Sequence, residues 1–161
     1  RMLATIYPER LASLILIAAG GLVPALTQPG ELATLLDNQA LSEEEKIHYA
    51  RRTMFSPATD RNIVREYVQG LTYWPEARKG QREANQNTPL EEWVAGGNGP
   101  VLMIMGEDDL TAPIENGYRM KAEHGDRLTL ISVEKAGHAV GLEKPEEVAA
   151  AMIEFLQKHA I

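Results

Sequence analysis

Val101 to Met105 is an unbroken apolar run of strand length, closed by Gly106, with acids at 107–109 and a proline at 113. A second run, Leu128 to Val133, ends shortly before Gly137-His138. Between them, Pro113 to Gly125 reads as one helix with proline at its start. Strand, helix and strand make a βαβ unit, and its right-handed crossover leaves the two strands parallel. Parallel strands end on one edge of the sheet, where ligands of open α/β folds bind. Asp109 and His138 are therefore expected at neighbouring strand ends, facing one cleft. A carboxylate beside an imidazole is two-thirds of a catalytic triad.

The rest of the chain limits the alternatives. Its 161 residues suffice for one domain with a sizeable core. A formal charge of −7 and the lack of a basic patch argue against a nucleic-acid partner. Arg51-Arg52 lies in an otherwise acidic helix and reads as a solvated face. With no cysteine there are no disulfides and no thiolate chemistry. No apolar run approaches the ~18–20 residues a membrane span needs. No membrane partner is expected, and a cytoplasmic location is the expectation, although the lack of cysteine does not itself fix the compartment. The chain opens at Arg1, not at an initiator methionine.

In chain order, Met2, Leu3 and Ile6 share one helical face until Pro8 interrupts it, as in the tail of a longer helix. Leu14 to Ala19 is uniformly apolar, as expected for a strand covered on both faces, and Gly20-Gly21 turns the backbone at its end. From about residue 24 to 98 no strand-like run appears. Ser42 and Glu45 predict a capping box, opening a helix that carries Ile47, Ala50 and Met54 inward. Asp60 is placed to cap a helix bearing Ile63, Val64, Tyr67, Val68 and Leu71, with Gly70 at its end. Thr88-Pro89-Leu90-Glu91 predicts another capping box, with Trp93 on the short helix that follows. The final helix, from Pro145 to about Lys158, sets Val148, Met152, Phe155 and Leu156 on one face.

Gly106-Glu107-Asp108-Asp109 with Pro113, followed by Gly137-His138, resembles the acid and histidine motifs of the α/β-hydrolase superfamily. Tyr7-Pro8-Glu9-Arg10-Leu11 with the Leu14 run resembles that family's segment after the nucleophile helix. Leu142-Glu143-Lys144-Pro145-Glu146-Glu147 resembles the start of its last helix. The resemblance covers about residues 1–23 and 98–161. It implies an α/β fold, the C-terminal part of an α/β-hydrolase, with parallel strands, flanking helices and an inserted helical cap. The division it implies is 1–23 core, 24–98 cap and 99–161 core.

By the same resemblance Asp109 is the acid, at the family's place in Gly-x-x-Asp-x-x-x-Pro, with Asp108 as rival and Glu107 behind it. His138 is the general base and then general acid. His48, His124 and His159 read as structural or solvated, and no spacing suggests a metal site. The cap aromatics read mainly as packing, with Tyr73 and Trp74 the candidates for a substrate pocket. Met103 and Met105 read as core filling.

None of Ser13, Ser42, Ser56 or Ser132 sits in a Gly-x-Ser-x-Gly elbow, so the nucleophile is expected upstream of Arg1. The implied activity is hydrolysis of a small-molecule substrate, a carboxylic ester or lactone, without a cofactor. This chain alone is expected to be inactive, and to be found with a complementary N-terminal polypeptide or another copy of itself. The same fold with an aspartate nucleophile, as in dehalogenases and epoxide hydrolases, is one alternative; a non-catalytic binding or assembly module is the other.

Overall fold

The computed structural model describes residues 1–159. Three parallel strands, β1 (Leu14–Ile17), β2 (Val101–Gly106) and β3 (Leu128–Val133), form a sheet in the order β1-β2-β3. Register runs from Leu14 against Val101 and from Val101 against Leu128 to Gly106 against Val133. The helices are α1 (Met2–Ile6), α2 (Glu31–Asp37), α3 (Glu43–Thr53), α4 (Arg61–Gln69), α5 (Pro75–Asn87), α6 (Glu115–His124), α7 (Val140–Glu143) and α8 (Pro145–His159).

Every residue of β2 is buried because both faces of the central strand are covered. Leu102 and Ile104 point into a cluster with Val148 and Phe155 of α8. Val101, Met103 and Met105 point the other way, into a cluster with Met120 of α6 and Leu128. This period-two alternation sends the unbroken apolar run to two different layers. Each large side chain removed from water contributes about 1.5–3 kcal/mol. Met103 and Met105 are core residues, as expected.

Several local expectations are corrected. β1 stops at Ile17, two residues short of Ala19, because Ala18 turns into the left-handed region at φ 49°. Its amide still donates to the Ile104 carbonyl at 2.9 Å. Nor is β1 covered on both faces: Leu14 to Leu16 are half-buried and Ile17 is 42% exposed. Among the described residues β1 is paired along one side only. Helix α6 begins at Glu115 rather than Pro113, since residues 109–112 are first folded around the Asp109 side chain. On α8, Val148 and Phe155 are buried as expected, but Leu156 is exposed.

The block between β1 and β2 consists of helices joined by loops, with no strand among its residues. Glu45 donates its amide to the Ser42 hydroxyl and its carboxylate accepts from the Ser42 amide, so the predicted capping box forms. Asp60 caps α4 through the Asn62 amide. Leu35, Ile47, Ala50, Phe55, Val64 and Val68 form this block's own core, joined by Ala139 from beyond β3. The second predicted box does not form. Thr88 is instead the extended residue ending α5, and Leu90–Glu92 make one 3₁₀ turn with no side-chain cap, with Trp93 just past its end. The expected last part, 99–161, runs two residues beyond those described.

Candidate active site

The loops leaving β2 and β3 cross at close range. The Glu107 amide donates to the Val133 carbonyl at 3.0 Å and the Asp108 amide to the Ala136 carbonyl at 2.9 Å. A Cβ on Gly106 would lie 2.3 Å from the Ala136 oxygen, so only glycine lets the loops approach this closely. Lys135, at φ 53°, turns the chain after β3 and brings His138 back over the strand ends.

Asp109 is 2% exposed, and its carboxylate is occupied on both oxygens. One accepts from the Thr111 and Ala112 amides, each at 2.8 Å; the other meets His138 Nδ1 at 2.9 Å. A carboxylate so bonded accepts, so Nδ1 carries a proton, and in the neutral ring Nε2 then holds the lone pair. The His138 side chain is 25% exposed, and among the described residues its Nε2 makes no hydrogen bond. A buried, doubly anchored carboxylate thus fixes an imidazole through Nδ1 and leaves its second nitrogen without a hydrogen bond among the described residues. That arrangement can take a proton and return it.

The rival acids do other things. Asp108 accepts from the Ser56 hydroxyl at 2.6 Å, and Glu107 is exposed. Ser56 is itself fully buried and its amide donates to Glu143 at 2.7 Å. Sequence reading gave neither Ser56 nor Glu143 a place at the site. No spacing signals a contact between residues 87 positions apart.

Beside these loops, at the carboxyl end of β1, lies an open cleft of about 580 Å³. Gly20 and Gly21 line its sheet side, Gln81 and Asn85 of α5 its roof, and Trp93 one wall. A Cβ on Gly20 would stand 3.3 Å from that of Ala112, the residue whose amide holds Asp109. The cleft therefore adjoins the acid loop. Arg1 spans it, its guanidinium bonded to the Gly20 carbonyl and 5.4 Å from the Trp93 ring centre; burial lowers its pKa.

Tyr73 and Trp74 are placed elsewhere. The Tyr73 hydroxyl reaches the Asn38 carbonyl and its ring receives Lys46, while Trp74 is 65% exposed at the start of α5. Neither has a described contact with Asp109 or His138. His48 stacks edge-on to Tyr49, His159 leans on Phe155, and the buried Nε2 of His124 has no partner among the described residues. No group of three or more His, Asp or Glu that could hold a metal occurs among those residues. No helix among them is long and apolar enough to cross a membrane.

Parallel strands with helices on both faces, a helical block inserted after β1, and an acid and a histidine meeting beyond β2 and β3 define an α/β-hydrolase fold. Known proteins agree. The chain is 29% identical over 163 residues to 2-hydroxy-6-oxo-6-phenylhexa-2,4-dienoate hydrolase of Comamonas testosteroni, covering 94% of this chain and 56% of that protein. A thermophilic esterase from Thermogutta terrifontis superposes with a TM-score of 0.71 at 23% identity, over 98% of this chain and 60% of the other. The 2-hydroxy-6-oxo-6-phenylhexa-2,4-dienoate hydrolase of Rhodococcus sp. strain RHA1 gives 0.65 at 18%, over 96% and 58%. The chain spans about half the length of the curated relatives it matches. No protein-family model matches it.

Proposed function

We propose that these residues supply the acid–base half of a small-molecule hydrolase acting on a carboxylic ester or lactone. The observation that carries this reading is the 2.9 Å contact between His138 Nδ1 and a buried Asp109 carboxylate, with Nε2 left free. A serine hydroxyl attacks the acyl carbon while Nε2 takes its proton, and Asp109 stabilises the imidazolium. His138 then protonates the departing alkoxide. Water enters and loses its proton to His138 as it adds to the acyl carbon; collapse then expels the serine oxygen, which takes that proton back from His138, giving the acid and restoring the enzyme. The sequence calls for no metal or organic cofactor. Residues 24–98 act as the cap that shields this chemistry from water.

The four serines here hold other places: Ser13 before β1, Ser42 capping α3, Ser56 on Asp108 and Ser132 within β3. The nucleophile is assigned to a complementary polypeptide stretch, in the same protein or on a second chain. The edge of β1 that is unpaired among the described residues and the exposed Leu3, Ile6 and Ile17 fit such a complement. A second reading, hydrolysis of a dienoate ketone, is favoured by the Comamonas relative, whose substrate by name is a 6-oxo-6-phenyl dienoate.

The test uses the full-length protein that bears these residues, assayed with p-nitrophenyl esters and with that dienoate, alongside fluorophosphonate labelling. Ester turnover, a labelled serine outside residues 1–161 and its loss in His138→Ala support the proposal. Preferred turnover of the dienoate supports the second reading. Turnover without labelling points to an aspartate nucleophile. Neither turnover nor labelling of the folded protein points to a binding module.

A further inference from the structure

We infer that Glu143 is a positioning residue for His138, fastening the histidine loop to the cap. The inference rests on the reading of His138 as the acid–base group. Glu143 ends the one-turn helix α7 and is only half-buried, yet its carboxylate is fully engaged. Oε2 accepts from the Gly137 amide at 2.7 Å, immediately before the histidine. Oε1 accepts from the Ser56 amide at 2.7 Å and the Thr59 hydroxyl at 2.5 Å, both in the loop between α3 and α4. One carboxylate therefore joins two segments about 80 residues apart, one oxygen to each.

The surrounding contacts make this bridge a control on where the imidazole sits. The cap loop presses on the histidine loop so closely that a Cβ on Gly137 would lie 2.7 Å from the Ser56 nitrogen. The Ala139 amide donates to the Met54 carbonyl at 2.7 Å, on the other side of His138. His138 is thus flanked by two backbone anchors to the cap, and Glu143 supplies the charged one. Charge-assisted bonds to backbone amides are the stronger kind and tolerate little displacement. Glutamine at 143 keeps the size but turns an N–H₂ toward one of these donors. That pushes apart the loop whose position sets the Nε2 direction. A misplacement of about 1 Å at a reacting group costs up to about 100-fold in rate.

The experiment compares Glu143→Gln, Thr59→Val and His138→Ala in the full-length protein. It follows kcat, KM, melting temperature and the NMR signal of the His138 Nδ1 proton in histidine-labelled samples. Glu143→Gln is expected to shift or broaden that signal and to lower kcat about 10–100-fold, with KM within about twofold. Thr59→Val, which removes only one cap-side bond, is expected to move both in the same direction by less. It decides the matter if Glu143→Gln does not fold. An unmoved Nδ1 signal with unchanged kcat in a folded variant overturns the inference. A moved signal in a protein whose His138→Ala form stays active preserves the positioning role and overturns the catalytic reading instead.

Discussion

Gly106 and Gly137 meet backbone to backbone: a Cβ on Gly106 would lie 2.4 Å from the Gly137 carbonyl oxygen. Gly106 is therefore required by the histidine loop, whereas Gly137 is required by the main chain of residues 54–56, so the histidine loop is pressed from both sides where a side chain is absent. A methyl group at 106 has nowhere to go, since the neighbouring atoms are main chain. Gly106→Ala is expected to cost about 1–3 kcal/mol, as overpacking does, and to separate Asp109 from His138. Urea denaturation reads the first effect and loss of the His138 Nδ1 proton signal the second. A variant of wild-type stability with that signal intact contradicts this account of the crossing.

The two adjacent aspartates should separate cleanly on mutation. Asn at 109 still accepts from the Thr111 and Ala112 amides through Oδ1, but presents an N–H₂ to His138. The ring then favours the tautomer with its proton on Nε2, and the base is lost. If the proposed hydrolase activity holds, Asp109→Asn should lower kcat by about 10⁴-fold with the fold intact. Asp108→Asn can still accept from Ser56 through its amide oxygen and should change kcat by less than about tenfold. Steady-state kinetics of the two variants, side by side, check the assignment.

Much of this was legible because the decisive signals are local. β2 and β3 are apolar runs of strand length, the helix between them is bounded by proline and glycine, and the crossover rule places their ends together. Ser42–Glu45 needed only its own four residues. Where tertiary context decides, the pattern misled or was silent. Ala18 continues the apolar run of β1 but adopts a left-handed turn. Helix α5 buries no residue, so its 13 positions carry no apolar stripe to read. Thr88-Pro89-Leu90-Glu91 has the letters of a cap, yet Thr88 already ends the preceding helix. Glu143 sits inside a stretch that reads only as the approach to the last helix, and its partners at 56 and 59 are visible only in three dimensions.

The helical block between β1 and β2 should show its own acid sensitivity. The Glu45 carboxyl is held below its ordinary value of 4.5, first by the Ser42 hydroxyl and then by the Ser42 amide. A depressed folded-state pKa means that its contribution is present above the unfolded value and disappears as pH falls through the folded one. Ser42→Ala removes the hydroxyl and is expected to cost about 1 kcal/mol near neutrality. Glu45→Gln should flatten the decline in stability below about pH 4.5, because it has no proton to bind there. Thermal melting of wild type and both variants between pH 3 and 7, on the order of one scan per half unit, resolves this. A decline of equal steepness in Glu45→Gln would rule out this capping box as a source of the acid sensitivity.

Phe55 joins the interior of the helical block between β1 and β2 to the loop that carries His138, so its loss should be felt in both. Its ring is 4% exposed and meets Tyr67 edge-on, with centroids 5.2 Å apart and planes at 75°. Phe55→Ala leaves a cavity in a cluster that also contains Ala139, and is expected to cost about 3–5 kcal/mol. Phe55→Leu retains most of the volume and should cost less. A double-mutant cycle with Tyr67→Leu isolates the ring–ring contact, expected at about 0.5–1.5 kcal/mol. The main chain at Phe55 also lies against Gly137, where a Cβ would be 2.7 Å from the Phe55 carbonyl carbon. Loosening residue 55 therefore releases the segment before His138, and if the proposed hydrolase activity holds, Phe55→Leu should lower kcat more than a change in the same cluster away from this loop, such as Val64→Ala. If Val64→Ala, matched for stability, lowers kcat as much, the cap acts on the histidine through general softening and not through the contact at residue 55.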